Sequence, residues 1–283
     1  MEKLIITCAL TGTTTSKEQN INVPITPEEM AEDAVKVVKA GASVLHIHVR
    51  DENGLGTMEY SAFERAFNSI TEALKKEKLD AVINLTTSGR YGGTAPFEER
   101  VGHLQKLRPE MCSYDACTMN WGCSIVFDNH PNFLTELGKI AMECDVKPEI
   151  EIFDGGHISN AIYYINHGII KAPAHFQFVL NILGGLEGTT RNLQFLVDRL
   201  PEGSTWSVTG IGKSHVPMML AGLSLGCNGL RVGLEDNIYY AEGQKTTNEE
   251  LVKRAVELGK LAGREIATAD DARRILGITR KSF

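Results

Sequence analysis

Residues 229–235, Gly-Leu-Arg-Val-Gly-Leu-Glu, decide the fold, because aliphatic side chains there alternate with polar or small ones. Successive side chains of a β-strand point to opposite faces. This strand therefore directs Arg231, Gly233 and Glu235 to one face and three aliphatic side chains to the other. In a β-barrel the aliphatic face packs against helices, and the other face enters the barrel.

Short β-rich runs alternate with longer amphipathic stretches along the whole chain. The strand-like runs are KLIITCAL (3–10), SVLHIHV (43–49), AVINLTT (81–87), MCSYDACT (111–118), EIEIF (149–153), AHFQFVLNI (174–182), STWSVTG (204–210) and NGLRVGLE (228–235). Helical stretches include residues 27–40, 61–76, 131–144, 190–200 and 248–263. Thr26 is a typical N-cap before Pro27, and Gly41 and Gly168 lie where helix C-caps are expected.

Eight strand–helix units predict a (β/α)8 TIM barrel, an α/β fold that typically needs about 250 residues. A doubly wound open sheet is the competing architecture. It is disfavoured, because no Gly-x-Gly-x-x-Gly motif opens the first strand-to-helix turn and no linker divides the chain. We expect a single domain over residues 1–283, with the active site at the carboxyl ends of the strands. The longer segment 236–247 is expected to form part of a lid.

The composition excludes several classes of protein. With 42% hydrophobic and 23% charged residues, the chain is neither disordered nor collagen-like. A net charge of −7 without a basic block argues against nucleic acid or an anionic membrane surface as a partner. No apolar run approaches the roughly 20 residues that span a bilayer, and no export signal opens the sequence. The six cysteines include no Cys-x-x-Cys pair, so we expect reduced thiols and a cytoplasmic location.

Several other strands also send polar side chains to one face. These residues are His46, His48, Asn84, Thr86, Ser113, Asp115, Glu149, Glu151, Thr205, Ser207 and Thr209. Such groups are costly to bury unless they pair or bind a metal. A structural network of salt bridges and hydrogen bonds is one explanation. An enzyme is favoured, because the polar groups concentrate toward the carboxyl ends of the strands, where barrel active sites lie.

His46 and His48, two residues apart on one strand, place both imidazoles on the same face, close enough to share a cation. Glu235 is the best candidate for a third ligand, because closing the barrel leaves one strand between the eighth and the second. Two histidines, one carboxylate and an open position are typical of a catalytic zinc site. The His-x-His pair alone is a weak indication, since alternating histidines are often hydrogen-bonded core residues.

Arg231 and Asp236 form a second candidate group. A carboxylate held by a guanidinium keeps its orientation, which suits a base, and Glu151 is placed to anchor the arginine from the other side. The alternative is an ion pair whose role is structural, in closing the barrel, and not catalytic.

The remaining histidines bear on a competing metal-hydrolase interpretation. His157 and His215 follow strands five and seven and are expected near the mouth, whereas His175 begins strand six at the bottom. An amidohydrolase-like barrel would need His-x-His on the first strand, histidines at the ends of strands five and six, and an aspartate on strand eight. Here the pair lies on the second strand, and strand six carries its histidine at the wrong end.

Four segments resemble the β-keto acid cleavage enzymes: LIITCALTG (4–12), GASVLHIHVR (41–50), PEIEIFD (148–154) and GLRVGLEDNIYY (229–240). They occur in order on the predicted strands, and the resemblance runs from the first strand to the last helix. It implies a zinc-dependent TIM barrel that condenses a β-keto acid with acetyl-CoA to give acetoacetate and a new acyl-CoA. It also implies a homo-oligomer, specifically a homotetramer.

The resemblance implies roles for individual residues. Those matching the metal ligands are His46, His48 and Glu235. Those matching the catalytic group are Asp236 as the base, Arg231 as its partner and Glu151 as the supporting glutamate. Those matching the substrate-binding set are Thr86, Ser88, Gly89, Thr14, Ser113 and Asp115. Thr86 replaces a serine whose hydroxyl helps to hold the substrate carboxylate.

The implied chemistry begins with zinc as a Lewis acid, which binds the keto oxygen and carboxylate of the substrate and acidifies the carbon between them. Asp236, oriented by Arg231, would remove that proton. The carbanion would attack acetyl-CoA, CoA would transfer within the adduct, and a retro-Claisen step would release acetoacetate. Neither a nucleophilic cysteine nor a redox cofactor is needed.

Departures from the best-known family member concern the substrate. That enzyme has a glutamate in the first βα loop that receives the substrate amino group, where this chain has Thr14. In strand four, Ser113 and Asp115 replace threonine and asparagine. Asp115 either recognises a cationic group, as in an amino or trimethylammonium β-keto acid, or is held in hydrogen bonds in a pocket for a neutral substrate. We favour the cationic case, because an anionic tail beside Asp115 would be repelled.

Two other classes of function stay open. A metal-dependent hydrolase or aldolase-like lyase would also bind zinc but would need no CoA, and a non-catalytic binder would hold its ligand without turnover. No distinct CoA motif is present. The loops GGLEGTTR (184–191) and GIGKSH (210–215) are candidate phosphate sites, although glycine-rich turns are common at barrel mouths.

Overall fold

A computed structural model describes residues 2–89 and 95–281 of the chain. The strands are β1 (Ile5–Ala9), β2 (Val44–Ile47), β3 (Val49–Arg50), β4 (Gly56–Thr57), β5 (Val82–Leu85), β6 (Met111–Asp115), β7 (Met119–Trp121), β8 (Ile125–Phe127), β9 (Lys147–Ile152), β10 (His175–Leu180), β11 (Thr205–Gly210), β12 (Gly229–Val232), β13 (Tyr239–Ala241) and β14 (Gln244–Lys245). The helices are α1 (Pro27–Ala40), α2 (Tyr60–Lys76), α3 (Phe97–Leu107), α4 (Pro131–Glu143), α5 (Gly155–Asn166), α6 (Thr190–Val197), α7 (His215–Ser224), α8 (Asn248–Leu261) and α9 (Ala269–Leu276).

Eight of these strands form one closed barrel, in the order β1, β2, β5, β6, β9, β10, β11 and β12. β1 pairs in parallel with both β2 and β12, so the last barrel strand closes on the first. This closure confirms the predicted (β/α)8 fold and excludes the doubly wound sheet, which would leave two edge strands unpaired. The hairpins β3–β4, β7–β8 and β13–β14 are separate two-stranded sheets.

Local sequence signals set several helix ends. The Thr26 hydroxyl accepts a hydrogen bond from the backbone N–H of Glu29, whose carboxylate in turn accepts from the N–H of Thr26, so α1 begins with a capping box. Gly41 ends α1 at a φ of 119°, in the left-handed region that glycine adopts without steric cost. α6 ends at Val197, three residues before the predicted end, since Pro201 disfavours helix in the residue before it.

Apolar side chains cover the outside of the barrel and close its amino-terminal end. Outward residues such as Leu45, Ile150 and Leu230 are fully buried against the helices. The first residues of four strands pack with Ala272 and Leu276 of α9 in a separate apolar cluster. α9 therefore covers the end of the barrel opposite the predicted active site.

The expected lid segment 236–247 is docked on the first βα loop. Asn20 donates hydrogen bonds to the carbonyl oxygens of Ile238 and Thr246, at 3.0 and 2.9 Å, and Asn22 donates to Thr246 at 3.1 Å. The segment includes the β13–β14 hairpin. Within the described residues no helix has the length and apolar character needed to cross a bilayer.

Candidate metal centre and active site

His46 and His48 lie where the carboxyl end of β2 opens into the barrel. His46 is in the strand and His48 follows its last residue, and the two ring centroids are 5.2 Å apart. Both side chains are buried. Burial lowers the pKa of His46 well below its ordinary value, so the ring is neutral and has a lone pair available for a metal.

Glu235 reaches the histidines from a turn. β12 ends at Val232, three residues before the predicted end of strand eight, and residues 234–236 form a turn. Gly233 begins the turn at a φ of 143°, and a Cβ there would lie 2.0 Å from the carbonyl oxygen of Ala9. The backbone can follow this path only with glycine. The turn brings the consecutive side chains Glu235 and Asp236 to one site, whereas a regular strand would send them to opposite faces.

The side chains of His46, His48 and Glu235 converge on one point. Nε2 of His46 lies 3.6 Å from one carboxylate oxygen of Glu235, and Nε2 of His48 lies 3.4 Å from the other. Both nitrogens of His46 and Oε2 of Glu235 are buried without a hydrogen-bond partner among the described residues. Two ligands that bind one zinc ion tetrahedrally at about 2.1 Å lie about 3.4 Å apart. The three side chains therefore fit a zinc ion.

Arg231 joins three carboxylates beside this cluster. Its guanidinium donates to Glu235 at 2.6 Å, to both oxygens of Asp236 at 3.0 and 3.1 Å, and to Glu151 at 3.4 Å. Burial raises the pKa of Asp236 above its ordinary value, although Arg231 acts in the opposite direction. Asp236 is thus an oriented carboxylate that is more basic than an aspartate in water.

The predicted substrate-binding residues of strands three and four form one hydroxyl-rich group. Oγ of Ser113 lies 3.5 Å from the Thr86 hydroxyl and 3.3 Å from the Ser88 hydroxyl. Ser88 donates a hydrogen bond to Asp115 at 2.9 Å, and the buried Gly89 follows at a φ of 100°. Within residues 2–89 and 95–281, the side-chain hydrogen bond that the buried Asp115 accepts therefore comes from a neutral hydroxyl, while the charge of Arg100 lowers its pKa from a distance.

Three sequence-predicted residues, Thr14, His157 and His215, make no hydrogen bond or ion pair with the candidate metal ligands or Asp236 among the described residues. Thr14 is exposed on the first βα loop, and the described part of the chain offers it no hydrogen bond. Nδ1 of His157 accepts from the backbone N–H groups of Phe153 and Asp154, both at 3.1 Å, so this histidine serves the start of α5. His215 is buried as the first residue of α7.

Three residues to which the sequence analysis assigns no role also shape the site. A Cβ on Gly12 would lie 2.7 Å from Cγ of Glu235, so the first βα loop packs directly on that side chain. Asn248 accepts a hydrogen bond from the N–H of Leu234 at 2.7 Å. Arg50 donates to carbonyl oxygens of the first βα loop and of the β3–β4 turn. Most of these contacts join residues that are distant in sequence, which a periodic pattern cannot reveal.

A closed parallel barrel with buried candidate metal ligands and an oriented carboxylate at one end defines a TIM-barrel enzyme. The comparison with known families is consistent with this class. The chain belongs to the family of β-keto acid cleavage enzymes, whose family model matches residues 3–278.

Individual relatives match over nearly their whole length. The 3-keto-5-aminohexanoate cleavage enzyme of Fusobacterium nucleatum subsp. nucleatum is 42% identical, over 98% of this chain and 99% of the relative. The enzyme of the same name from Acetoanaerobium sticklandii is 40% identical, over 99% and 100%. The 3-dehydrocarnitine:acetyl-CoA trimethylamine transferase of Rhizobium meliloti is 32% identical, over 99% and 98%.

A solved structure matches the fold. The apo structure of ObcA has a TM-score of 0.79 at 21% identity, covering 91% of this chain and 66% of the ObcA chain. This chain thus spans about two thirds of the length of ObcA. At this level of identity the match supports the shared barrel and no further inference about activity.

Proposed function

We propose that this protein is a zinc-dependent acyltransferase that condenses a β-keto acid with acetyl-CoA and releases acetoacetate and a new acyl-CoA. The observation that carries the proposal is the convergence of His46, His48 and Glu235 beside the Arg231–Asp236 pair. The names of the relatives support it, since they describe keto acid cleavage and transfer with acetyl-CoA.

Zinc, when bound, would polarise the keto oxygen of the substrate and so acidify the carbon between the keto group and the carboxylate. Asp236 takes the proton from that carbon. Arg231 holds both oxygens of Asp236, and Glu151 holds Arg231 from the other side. Thr209 donates a further hydrogen bond to Asp236 at 3.3 Å, which limits rotation of the carboxylate.

The carbanion then attacks the thioester carbonyl of acetyl-CoA and forms a carbon–carbon bond. The CoA thiolate leaves that carbon and attacks the former keto carbon, and the original bond between the keto carbon and the α-carbon breaks. Acetoacetate takes the acetyl group and regains the proton from Asp236, while the remaining acyl group leaves on CoA. In this proposal the hydroxyls of Thr86 and Ser113, which lie 3.5 Å apart, hold the substrate carboxylate during these steps.

The proposed substrate class is a cationic β-keto acid, such as one with an ammonium or trimethylammonium group. Burying a carboxylate is costly when, among the described residues, its hydrogen-bond donor is a single hydroxyl, and burial raises the pKa of Asp115 although the charge of Arg100 opposes the shift. A cationic substrate would offset that cost, whereas an anionic one would be repelled. The exposed Thr14 leaves Asp115 as the candidate partner for the charge.

The test measures acetoacetate formation from acetyl-CoA and a panel of cationic, neutral and anionic β-keto acids, with and without a zinc chelator. We expect zinc-dependent turnover that is fastest with a cationic member. Asp115→Asn should lower kcat/KM for that member by about tenfold or more and change the neutral members less. Turnover that needs no CoA would support a metal-dependent hydrolase or lyase, and an unchanged substrate preference would refute the role of Asp115.

The proposal includes a single domain over residues 1–283, a homotetramer and a cytoplasmic location. The family resemblance supports the tetramer. The cysteines, which are all free thiols, support the location. Both ends of the proposed domain, residues 1 and 283, lie outside the described residues.

A further inference from the structure

The two ring nitrogens of His46 face different carboxylates. Nε2 lies 3.6 Å from Glu235, and Nδ1 lies 3.7 Å from Oε1 of Glu149. A neutral imidazole carries one proton, on one nitrogen or the other. If Nε2 offers its lone pair to the metal, the proton must be on Nδ1, which faces Glu149.

Glu149 is a fully buried carboxylate that the proposed chemistry does not use. It lies in β9, and its Oε1 accepts a hydrogen bond from Asn84 at 2.7 Å. Its Oε2 lies 3.8 Å from Nε2 of His175 and has no hydrogen-bond partner in residues 2–89 and 95–281. Oε1, the oxygen that faces Nδ1 of His46, accepts one hydrogen bond among the described residues, from Asn84. A carboxylate oxygen can accept a second, and the Nδ1–H group of His46 is the donor that the proposed zinc site would supply.

We propose that Glu149 is a positioning residue that accepts the Nδ1–H of His46 and thereby directs the Nε2 lone pair of that ring toward the metal. This inference rests on the proposed zinc site. The separation of 3.7 Å exceeds an ordinary hydrogen bond by about 0.8 Å, so the proposal requires His46 and Glu149 to move together by that amount when the metal binds. A carboxylate on the outer nitrogen of a metal-bound histidine fixes its tautomer and raises its basicity.

Zinc affinity, measured by competition with a chromophoric chelator, tests this role without reference to activity. We expect Glu149→Leu to weaken zinc binding on the order of 10–100-fold. Glu149→Gln keeps an acceptor oxygen, so it should weaken zinc binding less than Glu149→Leu does. The control is Glu110→Gln, which changes another fully buried carboxylate, one that pairs with Arg273 of α9. It should leave zinc affinity at the wild-type level.

A second measurement uses the cobalt(II)-loaded protein, in which the exchangeable ring N–H protons of the two histidines give separate NMR signals. Glu149→Gln should shift the His46 signal and speed its exchange with solvent, while the His48 signal stays in place. If the wild-type protein binds zinc and the Glu149 variants keep both its zinc affinity and its NMR signals, the inference about Glu149 is overturned while the proposed function stands. A wild-type protein that binds no zinc would overturn the proposed function, and the inference with it.

Discussion

Gly12 shows how a residue without a side chain can set the position of a functional one. Its Cα lies so close to Glu235 that a Cβ would be 2.7 Å from Cγ, in the middle of that side chain. Gly56 makes a similar approach, where a Cβ would lie 2.6 Å from the side chain of Thr13. The first βα loop is therefore packed between the β3–β4 turn and the candidate metal ligand.

Gly12→Ala should displace Glu235 from the two histidines. We expect a loss of zinc affinity of about tenfold or more, with an overpacking cost of about 1–3 kcal/mol in the free energy of unfolding. Titration of the purified variant with zinc and denaturation in urea measure the two effects.

The matched control is Gly102→Ala in α3, where a Cβ would meet no atom within 4 Å in the described structure. That variant should be more stable than the wild type by about 0.5–1 kcal/mol, because alanine favours helix over glycine. Its zinc affinity should equal that of the wild type. Equal zinc affinity in the two variants would contradict the contact between Gly12 and Glu235.

Among the elements, α1, α8 and the ends of two barrel strands meet at Asn248. Its amide nitrogen donates to Asp33 at 2.6 Å and to the carbonyl of Leu10 at 2.8 Å, and its oxygen accepts from Leu234 at 2.7 Å. Asn248 is fully buried. One amide thus holds the turn that carries Glu235 against the first strand and the first helix.

The pKa of Asp33 makes this junction sensitive to pH. Burial raises it from 3.8 to about 6, against the opposing effect of the hydrogen bond from Asn248. Because the folded pKa is raised, the stability that the protonated group contributes is present below about pH 4 and is lost as pH rises through 6. Asp33→Asn keeps an acceptor oxygen without the charge, and should stabilise the protein by about 1–3 kcal/mol at pH 7 and little at pH 4.

Urea denaturation of wild type and Asp33→Asn between pH 4 and pH 8 measures this difference. Glu32→Gln removes the same charge from the exposed side of α1 and serves as the control. If Asp33→Asn raises the free energy of unfolding by the same amount at every pH, ionisation of Asp33 is ruled out as the cause.

At the scale of the whole molecule, zinc should stabilise the closed barrel, because a metal that binds only the folded chain shifts the unfolding equilibrium. At a free zinc concentration 100 times the Kd, the gain is about 2.7 kcal/mol. For a domain of this size that corresponds to a rise in Tm of roughly 5 °C. Calorimetry with zinc and with chelator measures the shift, and Glu235→Gln, which lacks a ligand, should show a much smaller one. An identical Tm for the wild-type protein in both conditions would argue against the proposed metal.

Much of the barrel could be predicted because its pattern is local. The alternation in residues such as Leu230 and Arg231 identifies the two faces of a strand, and Thr26 and Gly41 mark the ends of α1. The same periodicity places His46 and His48 on one face. The end of strand eight could not be predicted in this way, because the φ of Gly233 depends on the close approach of Ala9 from another strand.

By itself, the sequence determined the order of strands and helices, the inward polar faces and the resemblance to one enzyme family, since all of these are patterns along the chain. Tertiary structure alone decided that Glu235 and Asp236 share Arg231, that Glu149 faces the outer nitrogen of His46, and that Gly12 packs on Glu235. The last two contacts join segments that approach one another only when the barrel closes, and the first depends on the turn that begins at Gly233. Their distances follow from the paths of non-periodic turns, which no alternation of side chains encodes.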